Sequence, residues 1–280
     1  MKIAISCEST NDLSKEILES YDIKVIPFHI VLKDLEFQDG TYSTDQMLQM
    51  VEDYDCLPKT NALNEYQYTE FFTELRKEYD AVIHIALSSG LTSSTNNAIM
   101  ASKNVDNVFV VDSLSLSTGI GLLCMHGREL ANDGFAPQEI QAKLNDRKGK
   151  LQVSFVVERL DFLYKGGRCS SLQRLGSNLL KIRPRIIVKD GKMSSDKRYR
   201  GKMGGVVAKY CEDTLAEFNK PSLDKVFITY TTATEQMVEE AKIALENAGF
   251  EKIYITRAGG TIASHCGGNT LGILYFNDAE

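Results

Sequence analysis

The sequence predicts an α/β protein of two lobes, the first a mostly parallel sheet with helices and the second a mixed α+β lobe. Three observations carry that prediction. Through the first half, short apolar runs alternate with longer segments of helical periodicity, the order of elements that builds parallel strands joined by helical crossovers. After residue 150 strand patterns bracket Asp190-Gly191, and a two-residue turn of that kind joins antiparallel neighbours. Finally, 280 residues with 43% hydrophobic and 25% charged side chains can bury a substantial core and leave little room for disorder. The lobes are expected at residues 1–150 and 151–280.

In the first lobe, Ile3–Ser6, Val25–Leu32, Ala81–Leu87 and Val108–Val111 read as strands. Helices are expected at Leu13–Ser20, Thr44–Asp53, Tyr66–Tyr79, Ser94–Lys103 and Leu116–Asn132, with one more from Ala136-Pro137 to the charged stretch Asn145 to Lys150. In the second lobe the strands are Leu151–Val157, Pro184–Lys189, Met193–Arg198, Val226–Tyr230, Lys252–Thr256 and Gly272–Phe276, covered by helices Val206–Phe218 and Glu235–Ala248. In open α/β sheets the loops leaving the carboxyl ends of strands converge on a ligand crevice. Here those loops are rich in hydroxyls: Ser9 and Thr10, then Ser88 to Thr95, then Ser113, Ser115, Ser117 and Thr118.

Charge and cysteine usage exclude several classes of function. A formal net charge of −6 and a pI near 5.4 argue against a nucleic-acid partner, which would call for concentrated positive charge. The basic cluster Arg183, Arg185, Lys189, Lys192, Lys197, Arg198, Arg200 and Lys202 reads first as a solvated hairpin surface and second as a docking patch for an acidic partner or phosphate. Six cysteines without a CxxC pair indicate neither zinc nor a disulfide framework, and reduced, mostly buried thiols are expected. The opening MKIAISCEST enters a strand-like run without a signal-peptide pattern, and no apolar run approaches the length of a membrane span. A cytoplasmic protein is expected, in at most transient contact with a membrane surface.

Leu87 to Thr95 lies between a strand and a helix, which makes it either an anion site at a helix N-terminus or an ordinary serine-rich cap. Neither Gly119-Ile-Gly121 nor Gly166-Gly167-Arg168 fits a nucleotide fingerprint, and the latter pair of glycines suits a sharp turn after Leu160–Lys165. His265 sits in the small-residue segment Gly259 to Gly268, where backbone can approach a ligand closely; it is either structural or a donor to a carboxylate. No G-x-S-x-G elbow accompanies it, and His29, His84 and His126 have no metal-like spacing. Asp12, Asp39, Asp112 and Asp161 read as caps and turn residues, since nothing in their spacing selects an acid–base pair.

Taken in order, these segments resemble the DegV family. Cys7-Glu-Ser-Thr-Asn-Asp-Leu13 is similar to its D-S-T-x-D-L start, Thr60-Asn-Ala-Leu-Asn64 to T-S-Q-P-S, and Ser88-Ser-Gly-Leu-Thr-Ser-Ser94 to S-S-G-L-S-G-T. Val110 to Ser113 and Ser117 to Leu123 match the next strand and helix. Phe155 to Lys192 is the longest match, with Leu163-Tyr-Lys-Gly-Gly-Arg168, Leu180-Lys-Ile-Arg-Pro184 and Val188-Lys-Asp-Gly-Lys192. Ser264-His265 with Gly267-Gly268 resembles T-H-T-G-P-G, so the likeness covers nearly the whole chain.

The resemblance implies a two-lobe, non-enzymatic carrier that holds one long-chain fatty acid. It further implies service in phospholipid metabolism, with a separate fatty acid kinase phosphorylating the bound carboxylate and no cofactor or metal on the carrier itself. Carried over by position, Thr60 and Thr92 would hold the carboxylate, Ser93 takes a glycine position beside Thr92, and His265 lies near the head group. Arg168 falls on the G-G-R arginine and Arg200 on an R-G-R-type arginine. Asn61, Ala62, Thr92, Ser93, Gly268 and Asn269 differ from the usual letters, while a hydroxyl remains at both carboxylate positions. The alternatives are an enzyme, either a phosphotransferase or an acyl hydrolase, and a lipid-sensing module that docks a partner through Arg198–Lys202.

Overall fold

A computed structural model describes residues 1–169 and 182–279. Leu180 and Lys181, which open the basic Leu180–Pro184 motif, lie outside the described residues. The first half runs β1 (Ile3–Glu8), α1 (Lys15–Ser20), β2 (Ile23–Ile26), β3 (His29–Leu32), β4 (Leu35–Gln38), α2 (Thr44–Tyr54), β5 (Lys59–Asn61), α3 (Glu65–Arg76), β6 (Ala81–Ala86), α4 (Ser94–Ala101), β7 (Val108–Asp112), α5 (Thr118–Asn132) and α6 (Pro137–Arg147). The second half adds β8 (Leu151–Val156), α7 (Leu160–Gly166), β9 (Arg183–Lys189), β10 (Lys192–Tyr199), α8 (Met203–Glu217), β11 (Val226–Tyr230), α9 (Glu235–Asn247), β12 (Ile253–Arg257), α10 (Gly260–Cys266) and β13 (Leu271–Phe276).

The four strands β2-β1-β6-β7 form a parallel sheet, and β10-β9-β8-β13-β11-β12 form a mixed one. Strands β1 and β6 are buried along their whole length, as a parallel sheet covered on both faces requires. Because β1 lies between β2 and β6, the carboxyl ends of β1 and β6 form the switch point at which α/β sheets open a crevice. Paired side-chain and backbone caps start the flanking helices at Ser43/Gln46 and Asn64/Gln67. Helix α7 stops at Gly167, whose φ of 70° closes it in the left-handed conformation.

One core joins the two sheets: Ile5, Ile83, Ile120 and Leu123 of the first half pack in the same cluster as Phe155, Phe227 and Leu274 of the second. A second cluster fills the space between the mixed sheet and helices α8 and α9. All six cysteines are free and five are buried. No helix among the described residues is long and apolar enough to cross a membrane.

Three expectations need correction. The single strand expected at Val25–Leu32 is two strands in different sheets, because Pro27 has no N–H for a ladder and the chain turns there. After that break β3 pairs antiparallel with β4 and β5, neither of which the sequence pattern predicts. The segment Gly259 to Gly268 contains helix α10, concealed in the sequence by glycines at both ends. Arg185 does not belong to the solvated face of the basic hairpin. It is fully buried, with Asp196, Glu217 and the Thr214 hydroxyl as partners, because a buried guanidinium is tolerated only with its donors matched.

Candidate functional site

A cavity of about 410 Å³ opens where the loops after β1, β6 and β7 meet β5, β10 and α10. The loop after β6 is fixed from below by Glu8, which is fully buried at the end of β1. Its carboxylate accepts from the Tyr68 hydroxyl (2.6 Å), the Leu87 N–H (2.9 Å) and His84 Nε2 (3.3 Å). Burial alone would push this carboxyl up, but the charge and hydrogen bond of His84, with those of Tyr68 and Leu87, hold it below the usual range. The same loop is tied to the second half, since the Ser88 hydroxyl donates to Gly191 O at the hairpin tip (2.7 Å). Gly191 has a φ of 76°, and a Cβ on the facing Gly90 would lie 2.4 Å from its carbonyl oxygen, so the approach requires glycine on both sides.

Thr92 lines the cavity from this loop. Its Oγ1 accepts from the Ser94 N–H and donates to Ser94 Oγ, each at 3.1 Å, so rotating the hydroxyl hydrogen offers it to a ligand without losing the turn. Ser93, exposed at the start of α4, lies beside it on the cavity wall.

Thr60 enters from β5, opposite Ile30 of β3. Its hydroxyl is 2.9 Å from His265 Nε2 on α10. Two carboxylates of the first half hold that helix in place: Asp12 accepts from the Gly259 N–H (2.7 Å), and Asp39 accepts from the N–H groups of Gly260 (2.8 Å) and Thr261 (3.2 Å). Asp12 and Asp39 thus cap a helix more than two hundred residues away. Burial, helped by the negative charge of Asp39, pushes the Asp12 carboxyl up to about 8 despite hydrogen bonds from Ser117 and Gly259.

Burial and the nearby Arg168 charge lower the His265 pKa to about 4, so the imidazole is neutral near pH 7. Its Nδ1 is buried with no partner among the described residues. An unpaired buried donor is rarer than an unpaired acceptor, so the proton belongs on Nε2. His265 then donates to Thr60, leaving the Thr60 hydrogen for a ligand. The buried hydroxyls of Thr10 and Thr261 also lack partners among the described residues, and both residues line the cavity. Unsatisfied buried groups gathered at one cavity mark a site that a ligand or water completes.

Behind Leu116, Ile262 and Cys266, a narrow extension of about 30 Å³ runs toward Phe155 and Leu274. The serine and threonine hydroxyls around it are already bonded: Thr229 to Thr118 (2.7 Å), Thr231 to Gly267 O (2.6 Å), Thr270 to Cys266 O (3.0 Å) and Ser117 to Asp12 (2.5 Å). These residues therefore turn carbon toward the extension. The cavity is polar at the Thr60–His265 end and apolar at the Leu116–Ile262 end.

Of the residues singled out from sequence, Thr60, Thr92, Ser93, Arg168 and His265 line this one cavity. Arg168 is exposed at its edge, just beyond Gly167. Arg200 is exposed after β10 and does not line it. Sequence reasoning did not single out Thr261, Leu116, Ile262 or Met193. Thr10 appeared only as one of the hydroxyls after the first strand, and the i, i+4 spacing of Thr261 and His265 would have been a signal had α10 been recognised. Among the described residues, no group of three His, Cys, Asp or Glu side chains could hold a metal ion.

Comparison with known proteins places this geometry in a family. The model for uncharacterised proteins of the DegV family matches residues 2–278. A fatty acid-binding protein of Thermotoga maritima is 33% identical over 224 residues, which cover 76% of this chain and 78% of that protein. The crystal structure of a DegV lipid binding protein from Thermotoga maritima superimposes with a TM-score of 0.89 at 27% identity, covering 100% of both chains. That of DegV, a fatty acid binding protein from Bacillus subtilis, gives 0.83 at 28% identity over 99% of both.

Proposed function

The chain belongs to the DegV family, and from that premise we propose that it binds one long-chain fatty acid and presents the carboxylate to a separate fatty acid kinase. The observation that carries the proposal is the polarity of the cavity, with donors at the Thr60–His265 end and carbon at the Leu116–Ile262 end. In this reading the two lobes, 1–150 and 151–280, hold the ligand between them. Thr60 and Thr92 donate to the carboxylate, His265 orients Thr60, and Ser93 and Arg168 flank the head group. Arg200, outside the cavity, faces the partner.

The physics suits such a ligand. Each buried methylene contributes about 0.8 kcal/mol, so a tail of about 14 offers on the order of 11 kcal/mol before the costs of association. Hydrogen bonds to a charged group net only about 1.5–3 kcal/mol each, yet leaving a buried carboxylate unmatched is strongly unfavourable, so the hydroxyls set orientation. Hydroxyl donors add no fixed opposite charge, which leaves a carboxylate oxygen able to attack a phosphoryl donor. The ligand is then the phosphoryl acceptor, and the chain is a cytoplasmic carrier.

Native mass spectrometry of the purified protein tests the first half of the proposal: one co-purifying or added fatty acid is expected per chain, and a protein that stays empty in excess palmitate refutes it. For the second half, acyl phosphate should form from ATP and palmitate only when a fatty acid kinase is added. Product without the kinase would make the chain an enzyme.

A further inference from the structure

We propose that a wedge between β8 and β9, separate from the Thr60–His265 cavity, binds an apolar α-amino acid. Strand β8 is paired with β13 from Leu151 to Val156, but with β9 only from Ser154 to Val156. Strand β9 runs on to Lys189 in register with β10 alone. The hairpin therefore leaves β8 after Ile187 and leans on the first half of the chain, where Gly191 packs against Leu114 and accepts from Ser88. The space left behind is a cavity of about 370 Å³, within the roughly 300–1,000 Å³ of small-molecule sites. It shares no lining residue with the Thr60–His265 cavity or its apolar extension.

Two buried polar side chains on its wall each keep an atom unused. Ser115 is 1% exposed, and its N–H and C=O are bonded to Ser113 Oγ and the Ser88 N–H, but its hydroxyl has no partner among the described residues. Gln152 is 2% exposed; its Nε2 donates to Ser154 Oγ (2.6 Å), and its Oε1 has no partner among the described residues. Buried polar atoms left over at a cavity call for a ligand or ordered water.

The charges on the wall are of both signs. Lys148 donates to Asp112 O (2.9 Å) and Asn145 Oδ1 (2.8 Å), and among the described residues neither it nor Lys189 has an ion-pair partner. Asp190, in the hairpin turn, has none among them either. A simple carboxylate would leave Gln152 Oε1 and Asp190 without a donor. A simple amine would leave the two lysines and the Ser115 hydroxyl without an acceptor. A zwitterion meets both demands, with its carboxylate toward Lys148, Lys189 and Ser115 and its ammonium toward Gln152 Oε1 and Asp190. Val153, Ile187 and Phe218 make the rest of the wall apolar, which suits an uncharged, apolar side chain.

Calorimetric titration with L-leucine, L-methionine and L-phenylalanine tests this, each beside the acid that lacks its ammonium group and the amine that lacks its carboxylate. At least one of the amino acids should bind once per chain, and its two truncated forms should bind at least about tenfold more weakly, each having lost a charge-assisted contact. Lys189→Ala and Gln152→Leu should each weaken that amino acid about tenfold, in variants that still melt cooperatively. Lys189 is exposed, so its removal leaves the fold intact. If none of the three amino acids binds at about 10 mM, ordered water is what satisfies Ser115 and Gln152, and the site is overturned. A truncated acid or amine that binds as tightly as its parent overturns the zwitterion. An amino acid whose affinity is the same in both variants binds elsewhere, which also overturns the site.

Discussion

The two chambers that meet at the Thr60–His265 pair are alike in volume, share Thr60, Arg168 and His265, and differ in the rest of their walls. One adds Phe28, Leu87, Leu116 and Ile262, contributed by both halves of the chain, together with the hydroxyls of Thr10, Thr92 and Thr261. The other adds Lys59 and Lys165 beside Leu57 and Phe162. Apolar surface supplies affinity without direction, whereas a few hydroxyls beside a neutral imidazole supply direction with little affinity. In the proposed reading the apolar wall would hold the tail of a fatty acid and the Thr60–His265 pair would fix its head.

That contrast can be broken most severely at the partition. Thr60→Ala with Thr92→Ala should weaken palmitate by about two orders of magnitude or more, from two lost bonds of about 1.5–3 kcal/mol each; fluorescence displacement measures it, and a loss below about threefold would remove both residues from the carboxylate site. A smaller effect is expected at the apolar end. Leu116→Phe narrows the way to the Phe155–Leu274 extension, so a long saturated acid should lose about tenfold, the worth of about two methylenes, while an acid four carbons shorter loses little.

Next in size is a stability effect at the capped helix. The Asp12 carboxyl titrates near 8 in the folded chain against 3.8 ordinarily, so between those values the folded state keeps a proton the unfolded state has released. Stability must fall as pH rises through that window. Asp12→Asn keeps an acceptor for the Gly259 N–H and should flatten the slope of melting temperature with pH; an unchanged slope would mean Asp12 is ionised in the folded chain. His265 has the opposite sign. Its folded pKa near 4 lies below the ordinary 6.5, so its contribution to stability is lost as pH falls through that window. The smallest effect is therefore on binding between pH 6.5 and 8.5, where palmitate affinity should vary by less than about threefold, a range over which a titrating histidine would change it more.

The order of elements was readable because burial imposes periodicity: fully buried β1 and β6 appear as continuous apolar runs. Pro27 hid a change of sheet inside one apolar run, and the glycines bounding α10 hid a helix inside what reads as a loop. The meeting of Thr60 with His265 could not be read from spacing at all. Those residues are 205 positions apart and are joined by the packing of α10 onto β5. Only the likeness to a family singled them out together; it also covers Asp12, in the D-S-T-x-D-L start, but gave that residue no role, and Asp39 looks like an ordinary turn residue.

A crystal structure of the protein with palmitate would show the pose of the ligand directly. A single tube of density should pass Leu116 and Ile262, with its branched end within hydrogen-bonding distance of the Thr60 and Thr92 hydroxyls. A tube running the other way, with the carboxylate beside Phe155, or a palmitate bound only outside this cavity, would contradict that expectation.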